Sequence, residues 1–150
     1  GKSELLLAEP YCLVYKELGP PESLEKVPFI KYQTDASVAN IIETWCAEHF
    51  EEPPSVAMDV NSMSTCRHFV RAGLGWSILT YMGLGSCKDK DIYVSPLRNK
   101  DGECITRDTN MVYTKDAENL VVVKTFIEYV RNYYKEHTVV DNSIFREYKA

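Results

Sequence analysis

Apolar residues along the 150-residue chain follow two periods, and the alternation between them predicts its elements. Short β-rich runs lie at 27–32, 55–60 and 76–80. Between these runs, apolar residues recur every three or four positions, as on one face of a helix. The two stripes are Val38, Ile41, Ile42 and Trp45, then Met63, Cys66, Phe69 and Val70. Strand, helix, strand, helix, strand with short connections is typical of right-handed βαβ units with parallel strands.

The two ends of the chain depart from this alternation. Pro10 interrupts the apolar block 4–15 and has no backbone donor, so the block predicts two short strands or one strand bent there. Further strands are predicted at 92–95 and within 103–114. A long helix is predicted over about 116–136, and residues 138–150, which have no clear period, are predicted to form a loose tail. The apolar stripe of the long helix consists of Leu120, Val123, Ile127, Val130 and Tyr134.

Polar residues, prolines and glycines set the predicted limits of the first two helices. Residues 33–35 and 61–62 offer side-chain oxygens that can cap a helix N-terminus. The proline pair 53–54 ends the first helical segment, and the glycines within 73–75 end the second, because glycine adopts the left-handed conformation without strain. These glycines lie between a helix and a following strand, whereas a dinucleotide fingerprint requires the reverse order.

Charge and composition exclude several classes of protein. The chain has 17 Lys+Arg against 22 Asp+Glu, a formal net charge of −5, and no Lys/Arg stripe, which argues against direct contact with nucleic acid. No apolar run approaches about 18 residues, and residues 1–10 lack the layout of a signal peptide, so a cytoplasmic protein without membrane association is expected. The five cysteines are scattered without a C-x-x-C pair, which indicates free thiols in a reducing compartment.

No motif in the sequence favours catalysis, a metal or a cofactor. Cys66 and His68 lie two apart on a predicted helix, so they point to different faces and cannot form a thiol–imidazole pair. Cys46 and His49 could share a face, but the chain lacks a second ligand pair at the spacing of a zinc site. We therefore predict no enzyme activity, no metal site and no cofactor.

Polar residues follow the carboxyl ends of the three predicted parallel strands. In open α/β sheets, ligands bind outside these strand ends, where helix N-termini present free N–H groups and partial positive charge. The predicted binding residues are Gln33, Thr34 and Asp35 after the first strand, Asp59, Asn61 and Ser62 after the second, and Thr80 and Tyr81 after the third. For Thr34, and for either Asn61 or Ser62, helix capping alone is as good an explanation of the polar side chain as ligand contact.

The segment 61–79, NSMSTCRHFVRAGLGWSIL, resembles the effector-binding domain of LysR-type transcriptional regulators. It is similar in its polar helix start, its V-x-A-G-L-G helix ending and the apolar strand that follows. Supporting similarities lie at 5–14, 27–30 and 126–130, and order and spacing agree over about residues 4–135. One departure is that the family usually continues this strand into Leu-Pro, where this chain has Thr80-Tyr81.

The resemblance implies an α/β fold of the periplasmic-binding-protein-like type, with an effector bound between two subdomains. Residues 1–114 would form the second effector subdomain, including the crossover strands, with a mainly parallel open sheet flanked by helices. Residues 115–137 would be a C-terminal helix from an incomplete first subdomain, and 138–150 a flexible tail. The chain would then be a fragment of a bacterial regulator whose N-terminal winged helix-turn-helix is missing.

The resemblance also implies an allosteric mechanism. A small-molecule effector, often a carboxylate in this family, would favour one arrangement of a homodimer or tetramer and change DNA bending through the missing N-terminal domain. Helix N-termini favour an anionic effector, whereas Asp35 and Asp59 oppose one. The alternatives are a solute-binding protein of the same fold and, with less support, an enzyme of unrecognised class.

Truncation of the first subdomain has a consequence for the long helix. Its predicted apolar stripe would lose the sheet on which it packs and would be left exposed. An exposed stripe of this kind favours self-association.

Overall fold

The computed structural model describes residues 1–32, 35–84, 90–137 and 140–150, which form two compact units. Unit 1 comprises residues 1–9 and 106–141, and unit 2 comprises residues 10–105 and 142–150. The strands are β1 (Lys2–Tyr15), β2 (Phe29–Tyr32), β3 (Val56–Val60), β4 (Ser77–Thr80), β5 (Tyr93–Pro96) and β6 (Thr106–Tyr113). The helices are α1 (Ala36–His49), α2 (Met63–Arg71), α3 (Tyr81–Leu84) and α4 (Val121–His137), with 3₁₀ turns at Pro21–Lys26, Ala117–Asn119 and Asn142–Ile144.

The sheet of unit 2 combines parallel and antiparallel pairs. β2 pairs in parallel with β3, and a parallel bridge between Phe29 and Trp76 links β2 to the start of β4. β1 runs antiparallel to both β4 and β5. Every strand of this sheet except β1 therefore runs in the same direction. The predicted α/β fold with a mainly parallel open sheet is confirmed.

β1 is a single strand, which is one of the two alternatives that the sequence left open at Pro10. Pro10 is the first residue of unit 2, and the hydrogen-bond ladder resumes at the next residue. There the Tyr11 N–H donates to the Ile105 carbonyl at 3.0 Å, and the Tyr11 carbonyl accepts from the Leu97 N–H at 2.8 Å. The missing proline donor thus costs one ladder position and does not end the strand.

The core of unit 2 is divided between the two faces of the sheet. Successive side chains of β1 alternate between them, as the pleat requires, with Leu13 in one cluster and Val14 in the other. The first cluster lies beside α1 and is rich in aromatic rings: Phe29, Trp45, Phe50 and Trp76. The second includes the inward residues of α2, Cys66 and Val70. Both helices thus bury the stripes that the sequence predicted.

In unit 1, β6 pairs with β1, and ion pairs join Lys2 to Glu118 at 2.7 Å and Glu4 to Arg131 at 2.8 Å. The prediction that the α4 stripe would be left exposed is wrong for its centre, because Ile127 is only 4% exposed. Val123, Val130 and Tyr134 are half-buried. The exposed apolar stripe lies on a neighbouring face of the helix and consists of Val122, Phe126, Tyr129 and Tyr133.

Residues 142–150 have little regular structure, but they belong to unit 2 and pack within it in place of a loose tail. The Arg146 N–H donates to the Val94 carbonyl at 2.9 Å, and Phe145 packs against the second core cluster. The reason is nonlocal, since the partners lie about 50 residues earlier in the chain. No helix in the described part of the chain is both long and apolar enough to cross a membrane.

Candidate functional site

The carboxyl ends of β2, β3 and β4 meet at one edge of the sheet of unit 2. Tyr32 at the end of β2 lies opposite Val60 at the end of β3. The Ser77 hydroxyl donates to the Ile30 carbonyl at 2.7 Å, which places β4 beside β2 at a matching height. The chain therefore enters α1 and α2 from the same edge. This is the ligand-binding edge of open α/β sheets.

Asp35 is the N-cap of α1, as the sequence predicted for residues 33–35. Its Oδ1 accepts from the Val38 N–H at 3.0 Å and from the Ser37 hydroxyl at 2.7 Å. The carboxylate is thus engaged in holding the first turn, although the residue is exposed. Gln33 and Thr34 lie outside the described residues.

Ser62 is the N-cap of α2, and its hydroxyl accepts from the Thr65 N–H at 3.3 Å. Asn61 precedes it and is exposed. Neither α1 nor α2, both fully described, has an acidic residue in its first turn, but a carboxylate, that of Asp35, caps α1, whereas a neutral hydroxyl caps α2. Sequence reasoning missed Ser64, an exposed hydroxyl in the same first turn, which a search of the turn after each cap would have found.

Thr80 and Tyr81 make structural contacts at the end of β4. Thr80 is buried within the strand, and its Oγ1 accepts from the Gly83 N–H at 3.1 Å, which fixes the short helix α3. Tyr81 begins α3, and its ring meets the ring of Phe145 edge-on at 6.2 Å. Both side chains therefore have structural contacts where the sequence predicted ligand contacts.

Asp59 lies inside β3, in agreement with the predicted run 55–60, and not after the strand end, where the predicted binding residues placed it. Its neighbours Met58 and Val60 pack against the second core cluster, so Asp59 faces the opposite side of the sheet. There it lies across from Lys31, an opposite charge directly paired in register. Of the described candidates, Asp35, Asn61 and Ser62 remain at the edge formed by the helix N-termini.

Arg67 attaches α2 to the turn that follows β4, and the sequence gave little indication of this. Its Nη1 donates to the Leu84 carbonyl at 2.6 Å, while its Nε is buried without a partner among the described atoms. One turn earlier, Met63 fills the space into which a Cβ at Gly83 would point. The start of α2 is thereby packed against α3. The only local signal is the i, i+4 spacing of Met63 and Arg67 on one helical face.

Of the cavities formed by the described residues of unit 2, two are well defined, and none of the described candidate residues lines either of them. One of about 500 Å³ lies between α1 and the β2–β3 pair, with acidic residues on its rim, and one of about 200 Å³ lies beside Trp45 and Arg98. Apolar residues lining the larger cavity include Phe29, Ile42, Cys46, Phe50 and Val56. A ligand at the strand ends would therefore be held by helix N-termini and capping side chains and not by these cavities.

None of the described cysteines forms a disulfide, and three of them are buried: Cys12, Cys46 and Cys66. Burial raises the pKa of the Cys46 thiol to about 11, and burial also raises the pKa of Cys66. Both thiols are thus held in the neutral form, which is a poor nucleophile and a poor metal ligand. The described residues contain no cluster of three or more metal-ligating side chains.

We expect iodoacetamide at pH 8 to modify the exposed Cys104 quickly and the buried Cys46 at least about 100-fold more slowly. Burial shields the Cys46 sulfur and raises its pKa from the ordinary value of 9.0 to about 11, which lowers its thiolate fraction about 100-fold. Raising the pH from 9 to 11 should lower the free energy of unfolding, because the unfolded chain releases the Cys46 proton first. Peptide mass spectrometry measures the labelling, and urea unfolding of Cys46→Ala is the control. Equal labelling of both cysteines in the folded protein would contradict the burial.

Comparison with known proteins identifies the family. The family model of the LysR substrate binding domain matches residues 3–135. The chain is 34% identical over 131 residues to the uncharacterized HTH-type transcriptional regulator YraN of Bacillus subtilis, covering 87% of this chain and 45% of that protein. It is 26% identical over 134 residues to the regulator YkuM of the same organism, covering 88% and 45%. The chain therefore spans less than half the length of these curated relatives.

Solved structures show the same fold at low sequence identity. The regulatory domain of Synechocystis CcmR, solved in complex with 2-PG, has a TM-score of 0.65 at 17% identity, covering 91% of this chain and 68% of that one. CbnR, a LysR family transcriptional regulator, has a TM-score of 0.58 at 15% identity, covering 87% and 47%. At these identities the similarity establishes the fold.

Proposed function

Because the chain belongs to the LysR substrate-binding domain family, we propose that it senses a small-molecule effector as part of a longer DNA-binding transcriptional regulator. The family consists of effector-binding domains and not of enzymes, in agreement with the sequence prediction. Both curated relatives are HTH-type regulators, which favours this function over a solute-binding protein. DNA would be contacted by a part of the regulator outside this chain. This chain has a net charge of −5, which would repel the phosphate backbone.

The observation that carries the proposal is the convergence of two helix N-termini at the carboxyl ends of β2 and β3. The α2 terminus is capped by a neutral hydroxyl and keeps a partial positive charge that suits an anionic group such as a carboxylate, whereas the Asp35 carboxylate at the α1 terminus opposes one. The Asn61 amide and the hydroxyls of Ser62 and Ser64 lie beside the α2 terminus and would supply the neutral hydrogen-bonding partners. The relative CcmR, solved with 2-PG, supports a small-molecule ligand for this family member as well.

In the proposed mechanism, effector binding shifts the protein between arrangements that differ in effector affinity. The regulator would act as a homodimer or tetramer in the bacterial cytoplasm, where its DNA lies. The coupling is reciprocal, so any arrangement that favours DNA release would also change effector affinity.

Thr34 and Ser62 belong to the proposed site, and their replacement by alanine in the longer regulator should weaken induction while operator binding persists.

Two substitutions at Ser62 separate ligand binding from helix capping. Asparagine and aspartate cap a helix N-terminus about as well as serine, so Ser62→Asn and Ser62→Asp should have nearly equal thermal stability. The added charge of Ser62→Asp would repel an anion at the α2 terminus. We expect it to bind carboxylates at least about tenfold more weakly than Ser62→Asn, a difference of about 1.4 kcal/mol.

The measurement is a thermal-shift screen of small carboxylates and their neutral amides, followed by calorimetry of each hit on both variants. A ligand at 100 times its dissociation constant stabilises the folded state by about 2.7 kcal/mol, which such a screen detects easily. Equal affinity of both variants for every carboxylate that binds would place the ligand away from α2. A screen in which only the neutral amides bind would reject an anionic effector.

A further inference from the structure

The larger cavity of unit 2, of about 500 Å³, is lined by described residues that all lie within 29–56. One wall is α1, and the other is the β2–β3 pair. Small-molecule sites in proteins typically have volumes of about 300–1,000 Å³. Asp35, Asn61 and Ser62 do not line this cavity, so it is separate from the proposed effector site.

The interior of the cavity is apolar. Its lining includes the rings of Phe29 and Phe50 and the exposed side chain of Val56. On α1, the small residues Ala39 and Ala47 line the cavity, where longer side chains would fill it. Apolar surface of this kind favours a ligand with an apolar body, because binding removes both surfaces from water.

Three carboxylates lie on the rim of the cavity, those of Glu43, Glu51 and Glu52. All three residues are exposed, and in the described part of the chain no ion pair or hydrogen bond engages their side chains. Lys31 also lines the cavity, but Asp59 lies directly across from it in the register of β2 and β3. Three carboxylates against one ammonium leave the rim net negative.

The segment that carries two of these carboxylates has an ordered backbone. Oε1 of Glu25 accepts from the N–H groups of Glu51 and Glu52, at 2.7 and 3.1 Å. A proline pair follows, and the Ser55 carbonyl then accepts from the Phe29 N–H at 2.7 Å. A rim that is already ordered loses little conformational entropy when it binds a ligand.

We propose that this cavity binds a small organic cation with an apolar body, of the arylalkylammonium class. The body enters the apolar interior, and the ammonium group faces the rim carboxylates. An ammonium group has three N–H donors and no acceptor, which suits several carboxylates at once. The proposed effector is an anion and binds elsewhere, so this site and the proposed function are tested separately.

Calorimetry on the whole chain compares 2-phenylethylammonium and 4-phenylbutylammonium with the alcohols of the same shape. We expect each ammonium ion to bind at least about tenfold more tightly than its alcohol, because three exposed carboxylates contribute about twofold each. The two additional methylene groups of the longer ion should tighten binding about tenfold if they enter the apolar interior.

Removal of the rim charge should reduce the affinity for each ammonium ion to that for its alcohol. The triple variant for this purpose combines Glu43→Gln, Glu51→Gln and Glu52→Gln. The matched control combines Glu17→Gln, Glu22→Gln and Glu103→Gln, which removes the same charge from exposed residues of unit 2 that do not line the cavity. The control should keep the affinity within about twofold, because exposed charges far from the ligand are screened.

Filling the cavity should weaken the ammonium ion and the alcohol equally. Ala47→Leu adds a branched side chain at the wall, and we expect at least about a fivefold loss for both ligands. Thr44→Leu is the matched control on α1, because Thr44 is exposed and does not line the cavity. It should leave both affinities unchanged.

Cys46 reports whether the ligand lies in the cavity, because it lines the wall, whereas Cys66 lies in the second core cluster. Saturating 4-phenylbutylammonium should slow modification of Cys46 by methyl methanethiosulfonate at least about fivefold relative to Cys66. Equal protection of both cysteines, or an ammonium affinity that the rim variant leaves unchanged, would overturn the proposal. So would sedimentation that shows a dimer which Ala47→Leu dissociates and the ammonium ions do not, since a second copy would then occupy the cavity.

Discussion

Trp76→Ala is expected to lower the free energy of unfolding by about 3–5 kcal/mol, a large part of the 5–15 kcal/mol that stabilises a typical domain. Trp76 is fully buried, and its ring contacts three other aromatic rings, with centroid distances of 4.7 Å to Phe29 and 5.8 Å to both Trp45 and Phe50. Its indole N–H also donates to the Val27 carbonyl at 2.9 Å. Truncation would leave a cavity and an unsatisfied carbonyl together.

Urea unfolding followed by circular dichroism measures this loss, and Trp45 remains as a fluorescent probe of the same cluster. Trp76→Phe is the matched control, because it keeps most of the ring contacts and removes the N–H donor. It should cost about 1–2 kcal/mol. A cost below about 1 kcal/mol for Trp76→Ala would mean that the aromatic cluster does not support the fold as described.

Gly75→Ala should cost about 3 kcal/mol, although it adds a single methyl group. A Cβ at this position would collide with the Pro28 carbonyl and lie 3.0 Å from Cγ1 of Ile30. The Pro28 carbonyl also accepts the Trp76 N–H at 3.0 Å. The backbone cannot move aside without weakening the contact between β2 and β4.

Gly73→Ala is the control in the same helix-to-strand connection, and it tests a different physical effect. Gly73 has φ +80°, and its added methyl would meet no atom within 4 Å. The cost is then only the left-handed backbone strain of an alanine, about 1–2 kcal/mol. Thermal unfolding of both variants checks the order. A smaller loss at position 75 than at position 73 would contradict the close approach of the two strands.

Local signals in the sequence located the helices well. Asp35 and Ser62 cap α1 and α2 as predicted, because capping is decided by a side chain and the amides two or three residues later. The end of α2 was equally predictable. Gly73 donates to the Val70 carbonyl and Leu74 to the Phe69 carbonyl, the pattern that a glycine after the last turn allows.

The candidate site was less predictable than the helices. The sequence predicted that the three strand ends meet at one edge of the sheet, and they do, because strand order along the chain predicts parallel βαβ units. It could not separate ligand-facing residues from packed ones. Thr80 and Tyr81 are polar residues after an apolar run, yet their partners Gly83 and Phe145 are set by the turn after β4 and by the distant segment 142–150.

By itself, the sequence determined the limits of α1 and α2, the parallel strand order, the two buried helix stripes and the family, because all of these follow from local periodicity and motifs. It placed the start of the long helix at about residue 116, whereas α4 begins at Val121 after a 3₁₀ turn. Only the tertiary structure decided which side of α4 is exposed, how Arg67 joins α2 to α3 and that residues 144–146 pack against the core and bond to β5. Those features depend on contacts between residues far apart in the chain. They are stabilised by burial and by hydrogen bonds to distant partners, which local sequence patterns do not predict.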